Sequence, residues 1–146
     1  ASSALATLNE FRAMELSTTV WAFAALSLYI GPLLAAIASE AIAKLQDFEQ
    51  QDLANTAWAF SSRPLHDSPL RKAISSASRP IITQFACQNL SNTAWAFATL
   101  GEEDAPLLAA LASAALARIS QLTAQDLSIT AWSFALLGFL HGPLLE

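Results

Sequence analysis

The sequence predicts an all-α protein, an α-solenoid of 37-residue helix-turn-helix repeats, and three observations predict it. The four tryptophans are spaced 37 residues apart, a phenylalanine follows each by two positions, and a proline follows each by eleven. Self-similarity at such a period is typical of helical repeats, in which neighbouring units stack to share one core. Only four glycines, beside abundant alanine and leucine, favour helix over sheet.

The repeat is described by columns, meaning positions that recur every 37 residues. The two aromatic columns lie beside recurring leucine and threonine, so they are expected to form the structural core that neighbouring units share. Their members are Trp21, Trp58, Trp95 and Trp132, and Phe23, Phe60, Phe97 and Phe134. The proline column consists of Pro32, Pro69, Pro106 and Pro143, each followed by a leucine.

This frame divides the chain into units of one continuous solenoid. Residues 15–51, 52–88 and 89–125 are complete repeats, residues 1–14 are the tail of a preceding repeat, and residues 126–146 are the first part of a further one. Because terminal repeats of an array need polar caps and both ends here fall inside a helix pair, we expect a window from a longer protein.

Each unit is expected to hold two helices, antiparallel because the turn between them is short. A side-chain oxygen at the start of the first helix can accept a free backbone N–H. The predicted N-caps are Asp52, Asn89 and Asp126, with Glu15 a poorer version.

Turn residues predict where these helices end. Gly101 and Gly138 are expected to be left-handed caps of the first helix, at a position that Ser27 occupies in an earlier unit. The column proline is expected at the first position of the second helix, where its missing N–H costs nothing. Pro80 lies inside a second helix and should kink it or end it early.

A membrane-spanning alternative comes from the stretch between Leu16 and Ser39, which contains no charged residue and is long enough to cross a bilayer. Gly31 and Pro32 interrupt it at the column where every unit turns. The sequence therefore favours two packed helices, and membrane insertion is not expected.

The sequence offers little for catalysis. Cys87 is the only cysteine, which excludes a disulfide framework, and His66 and His141 fall in turns of different units. No spacing assembles three or four metal ligands, and no glycine-rich phosphate loop or nucleophile–base pair is present. We therefore expect no enzyme activity, metal, cofactor or small-molecule substrate.

Composition points to a binding surface. The chain is 54% hydrophobic and 13% charged, with a mean hydropathy of +0.42, so it is apolar enough to contact partners over much of its surface. A net charge of −5 argues against a general polyanion binder. One basic cluster could contact phosphates or a partner, although a solvated face explains it equally well. Its members are Arg63, Arg71, Lys72 and Arg79.

A column three residues before the tryptophan varies among units and carries polar, uncharged side chains beside small ones. Such side chains on stacked helices can read nucleobase edges, one base per repeat. The alternative, which the sequence supports equally, is that the two asparagines bond back to the N-cap backbone as capping-box residues do. The column consists of Thr18, Asn55, Asn92 and Ile129.

The strings at residues 51–60 (QDLANTAWAF) and 88–97 (QNLSNTAWAF) resemble octatricopeptide-type repeats, helix pairs of organellar proteins in algae and related protists. The resemblance covers essentially the whole chain. It implies binding of single-stranded RNA in a chloroplast or mitochondrion, in transcript processing, stability or translation. Two features depart from that family, a turn reduced to Pro-Leu-Leu and an acidic balance.

Two functions therefore remain open. The first is a non-catalytic, RNA-binding helical-repeat scaffold. The second is a protein–protein docking or structural subunit of a large organellar complex, such as a photosystem or a respiratory assembly. The scarcity of basic charge is the sequence feature that separates them, because an RNA-binding face normally carries more of it.

Overall fold

The computed structural model describes residues 7–62, 68–101 and 104–138. These residues form α-helices joined by turns and short 3-10 segments, and they contain no β-strand. The prediction of an all-α protein with at least seven helices is confirmed. In chain order the helices are α1 (Ala13–Ala25), α2 (Gly31–Ala43), α3 (Gln50–Ser61), α4 (Ser68–Ser78), α5 (Cys87–Leu100), α6 (Ala105–Ala117) and α7 (Ala124–Leu136).

The helices alternate between two sets. We call α1, α3, α5 and α7 the first helices, and α2, α4 and α6 the second helices. Each first helix packs extensively against the next first helix along the chain, whereas consecutive second helices contact one another far less. Each of α2, α4 and α6 also contacts the first helix that precedes it. The first helices are therefore the more closely packed set.

Neighbouring first helices run parallel and in register. The rings of Trp21 and Trp58 are in contact, as are those of Trp58 and Trp95, in each case between positions 37 residues apart. Nearer the start of the helices, the hydroxyl of Ser17 donates to Asp52, so α1 and α3 are neighbours at both points along their length.

Small side chains allow this close approach. Ala59, Ala96 and Ser133 occupy one column and are buried, so that the backbones of neighbouring first helices can come together. Large apolar side chains fill the space on either side of the first helices. Among the most buried are Leu16, Leu53, Leu90, Phe97, Phe134, Leu107, Leu108 and Leu111.

The predicted helix starts are wrong by three residues. The acidic residues expected at N-caps lie at the third helical position, from which Asp52 accepts the backbone N–H of Glu49 at 3.1 Å. A carboxylate there satisfies a free donor as well as an N-cap oxygen does, which is why residue type alone misplaced the boundary. The observed N-caps are Arg12, Glu49, Ala86 and Thr123.

The helix ends follow the turn residues. Gly101 and Gly138 are left-handed, with φ of 68° and 66°, so their prediction as caps is confirmed. Ser27 adopts the same conformation with φ of 58°, although a side chain makes it less favourable. Helix α4 ends at Ser78 and the chain continues as a 3-10 segment, Arg79–Gln84, as the proline at position 80 predicted.

The uncharged stretch between Leu16 and Ser39 is divided between α1 and α2, with a turn directly before Gly31. Across the parts of the chain that the structure describes, no helix combines the length and the apolarity that crossing a membrane requires.

Polar bonds also link neighbouring units. The hydroxyl of Ser17 donates to Asp52 at 2.7 Å, and that of Ser91 donates to Asp126 at 3.3 Å, both in buried surroundings. On the second-helix side, the ammonium of Lys44 donates to the carbonyl of Phe11 at 2.7 Å, and Arg118 makes the equivalent bond to the carbonyl of residue 85. Each kind of bond recurs after 74 residues, which is two repeats, so it joins every second pair of neighbouring units. We call the contact between two neighbouring units a junction.

Candidate functional site

The predicted base-reading column lies on the first helices and lines two cavities between them. Thr18 and Asn55 line a cavity of about 730 Å³ between α1 and α3. Asn92 and Ile129 line one of about 310 Å³ between α5 and α7. Thr18 is exposed, and the other three are half-buried. The structure therefore brings these residues together in pairs, one from each of two neighbouring helices.

The capping alternative for the two asparagines is wrong. Because the first helices begin earlier than predicted, Asn55 and Asn92 lie at the sixth helical position, beyond the reach of the N-cap backbone. In α3 the capping contact belongs to Asp52. Neither asparagine amide hydrogen-bonds to another residue of the described part of the chain, so both can serve a ligand.

A second amide column lines the same cavities and was missed in the sequence. Gln51 lines the larger cavity, and Gln88 and Gln125 line the smaller one, each one turn before the base-reading column. The recurrence of glutamine at a 37-residue spacing was the sequence signal that could have revealed this column. Helices α3 and α5 thus each present a glutamine and an asparagine on one face.

Charge at the larger cavity is mixed, and its cations are already engaged. The guanidinium of Arg12 contacts Glu15 at 2.9 Å, and this hydrogen bond raises the pKa of Arg12 and lowers the pKa of Glu15. The ammonium of Lys44 pairs with Glu40 at 3.0 Å and also donates to backbone carbonyls. Asp47 and three further carboxylates line the cavity. The cavity therefore has an acidic lining with two amides, Gln51 and Asn55, and does not resemble a phosphate-binding groove.

The basic cluster is not a single surface. Arg63 lies outside the described residues, and Arg71 is buried, which contradicts its prediction as a phosphate contact. The physical reason is helical spacing, because residue 71 lies on the same stripe as the buried Ile74 and Ser78. Lys72, on α4, and Arg79, in the 3-10 segment that follows, are exposed. Neither lines the two cavities that the base-reading column lines.

The tryptophan column lies at the edge of the core rather than inside it, and Trp58 packs against the core, which corrects the sequence prediction of a buried column. Trp21 and Trp132 are 45% and 51% exposed, and Trp58 and Trp95 are half-buried. Rings of the first three form a ladder with centroids 6.3 Å apart at each step. By contrast, Phe60, Phe97 and Phe134 are buried and Phe23 is half-buried against the core.

Helical geometry explains the difference between the two aromatic columns. At about 100° per residue, a phenylalanine seven positions after the buried leucine returns to the leucine's face. A tryptophan five positions after that leucine points roughly 140° away. Leu90 and Phe97 are accordingly both buried, while Trp95 lies toward the surface.

Metal binding receives no support from the side chains that the structure describes. Within residues 7–62, 68–101 and 104–138, no group of three histidine, cysteine, aspartate or glutamate side chains could hold a metal ion. Both histidines, His66 and His141, lie outside these ranges.

Comparison with protein families gives one match over almost the whole chain. The family described as RESC6, RNA-editing substrate-binding complex 6 protein, matches residues 1–145. Among curated proteins, none matches the sequence. The matched family is not the octatricopeptide family, so that resemblance stands as a likeness of the repeat motif alone.

Proposed function

Since the chain belongs to the RNA-editing substrate-binding complex 6 family, we propose that it is a non-catalytic helical scaffold that binds single-stranded RNA within such a complex. The observation that carries this proposal is the pair of cavities lined by the same two columns of side chains. The Asn55 and Asn92 amides, which make no hydrogen bond to another described residue, are suited to the Watson–Crick edges of unpaired bases.

We further propose that the helices continue as a solenoid of 37-residue units with the first helices on its inner side. The closer packing of the first helices supports this arrangement, because a layer with shorter spacing lies on the inside of a curved array. Concave surfaces of this kind bind extended ligands in other repeat proteins. An RNA strand would then cross the first helices in turn and meet one amide pair on α3 and one on α5.

Weak dependence on salt follows from the scarcity of available cations. Lys72 and Arg79 are exposed, and neither takes part in an ion pair with another described residue. Each neutralised phosphate of a single strand contributes about −0.7 to the slope of log K against log salt. We expect a slope of only about −1 to −2, against the steeper values of basic RNA-binding domains.

The test is retention of RNA by the full chain. A pool of random single-stranded RNA is bound at low salt, and the retained sequences are compared for the unaltered protein, Asn92→Ala and a control, Ser76→Ala, which changes an exposed residue of a second helix. Asn92→Ala should lose about 1–3 kcal/mol of discrimination at one base position, and the control should lose none. Equal base preferences for all three proteins would refute base reading at Asn92.

A second candidate function is docking of a protein partner. It is favoured by a patch of exposed apolar side chains between α1 and α2, made up of Leu26, Leu28, Tyr29 and Ile30. Exposed apolar patches of this kind mark interaction sites. If the unaltered protein retains no RNA even at low salt, this scaffold function becomes the better account.

The resemblance to octatricopeptide repeats supports an organellar location as part of the proposal. Of the two organelles we propose the mitochondrion, because the match to an RNA-editing family gives the chloroplast no support.

A further inference from the structure

The tryptophan column is a feature of the first helices that the amide-lined cavities do not explain. We call Trp21, Trp58, Trp95 and Trp132 the tryptophan stripe. Trp58 has a tryptophan in ring contact on each side and packs against the core, yet it is only half-buried. The stripe therefore leaves part of its indole rings on the surface.

We propose that this stripe is a stacking surface for unpaired nucleobases. The inference rests on the proposed function, since the ligand is the same single-stranded RNA. Indole rings stack on any base because every base has a flat π-face, so the stripe would supply affinity while the amides supply base preference.

The stripe lies next to the amides on the same side of the helix. In α5, Trp95 follows Asn92 by three residues and Gln88 by seven, which places the three side chains within roughly 60° around the helix axis. Along the axis, the asparagine is about 4.5 Å from the tryptophan. A base stacked on the indole could therefore present its edge to the amide of the same unit.

Ring contacts within the stripe determine which members can stack. Trp21, Trp58 and Trp95 lean on one another at 28° to 37°, so a base cannot insert between them. Trp132 is 51% exposed and takes part in no ring pair within the described residues. Beside it, Ile129 and Leu136 replace the amide and hydroxyl that units 52–88 and 89–125 have at these columns. Trp132 should therefore contribute the most stacking and the least base preference.

A structural role and a stacking role rank the tryptophans in opposite orders. If the stripe only packs, Trp95→Ala should matter more than Trp132→Ala in every assay, because Trp95 is the more buried. If the stripe stacks bases, Trp132→Ala should weaken RNA binding more than Trp95→Ala does, while perturbing stability less. This reversal cannot arise from folding alone.

The experiment is a fluorescence titration of the full chain with a 30-nucleotide single-stranded RNA of mixed sequence. Stacking predicts quenching of tryptophan emission and roughly tenfold weaker binding for Trp132→Ala. Trp132→Phe should restore part of the affinity, because a phenyl ring also stacks. Ile119→Ala, which changes an exposed apolar residue outside the stripe, should bind as the unaltered protein does.

An abasic strand of the same length gives the decisive comparison. Stacking predicts that the abasic strand binds far more weakly and leaves the tryptophan emission unchanged. If RNA binds but Trp132→Ala binds equally well, the stripe is not a stacking surface and the proposed function still stands. If the abasic strand binds as tightly as the RNA, both stacking on the stripe and base reading by the amides are wrong. If the unaltered protein binds no RNA, the proposed function itself is wrong and the stripe has no nucleobase ligand.

Discussion

Two aromatic side chains of α7 lie two residues apart and should contribute very differently to stability. Phe134 is 1% exposed, whereas Trp132 is 51% exposed. The sequence assigned both to the core. Replacing each by alanine in separate variants of the full chain therefore measures whether the tryptophan stripe belongs to the core or to the surface.

The structure sets the size of each effect. Phe134→Ala opens a closed cavity and should cost about 3–5 kcal/mol. For Trp132, at most half of roughly 250 Å² is removed from water, which corresponds to about 3 kcal/mol at about 25 cal/mol per Å². Residual burial in the unfolded chain and the better helix propensity of alanine reduce the expected loss to about 1–2 kcal/mol.

Denaturant unfolding followed by circular dichroism measures both losses. The dependence of free energy on denaturant should stay the same in the two variants, so that the shift in midpoint reports stability alone. Ile119→Ala, at an exposed apolar position away from both helix faces, serves as the control. A loss for Trp132→Ala equal to or above that for Phe134→Ala would show that the stripe is core and that the angular argument is wrong.

Three further predictions concern a hydrogen bond between first helices, the cap at the end of α1 and an ion pair at its start. Ser17→Ala removes a buried hydrogen bond to a carboxylate and should lower the free energy of unfolding by about 1.5–3 kcal/mol. The control is Ser128→Ala, at the exposed position of the same column, which should change that free energy by less than about 0.5 kcal/mol in the same melts. Ser27→Gly should raise the free energy of unfolding by about 0.5–1 kcal/mol, and with it the midpoint of thermal unfolding, since glycine adopts φ of 58° without strain. A lower midpoint would contradict the left-handed cap. Because Arg12 lowers the folded-state pKa of Glu15, their interaction is present above the ordinary carboxyl pKa and is lost as the pH falls through the lowered value. Arg12→Ala should raise that pKa in a carboxyl NMR titration, and an unchanged value would exclude the pair in solution.

Much of the fold could be predicted because one signal repeats. The 37-residue period, the left-handed Gly101 and the break at Pro80 each depend on local chemistry that a sequence displays directly. The helix starts could not be fixed in the same way. A carboxylate serves the first turn from either the N-cap or the third position, so Asp52 is compatible with both boundaries.

The candidate site was predicted only in part because it depends on angles around each helix and on spaces between helices. Counting columns placed Trp95 beside Phe97, whereas rotation around the helix separates them. The same rotation buries Arg71. The cavities that join Asn92 to Ile129 arise between neighbouring first helices, and no single repeat contains the information to predict them.

The alternating bonds between units have a consequence for how the chain comes apart. Ser17 and Ser91 form buried bonds to the helix that follows them. At the junction between α3 and α5, Ala54 has no hydroxyl, and the bond there is an exposed one, from the N–H of Ala86 to the side chain of Gln50. In a one-dimensional array, stability is a sum over units and junctions, so unequal junctions make some neighbours unfold together. The cooperative element would then be a pair of units rather than one. Under mechanical load, the chain should separate first into two such pairs.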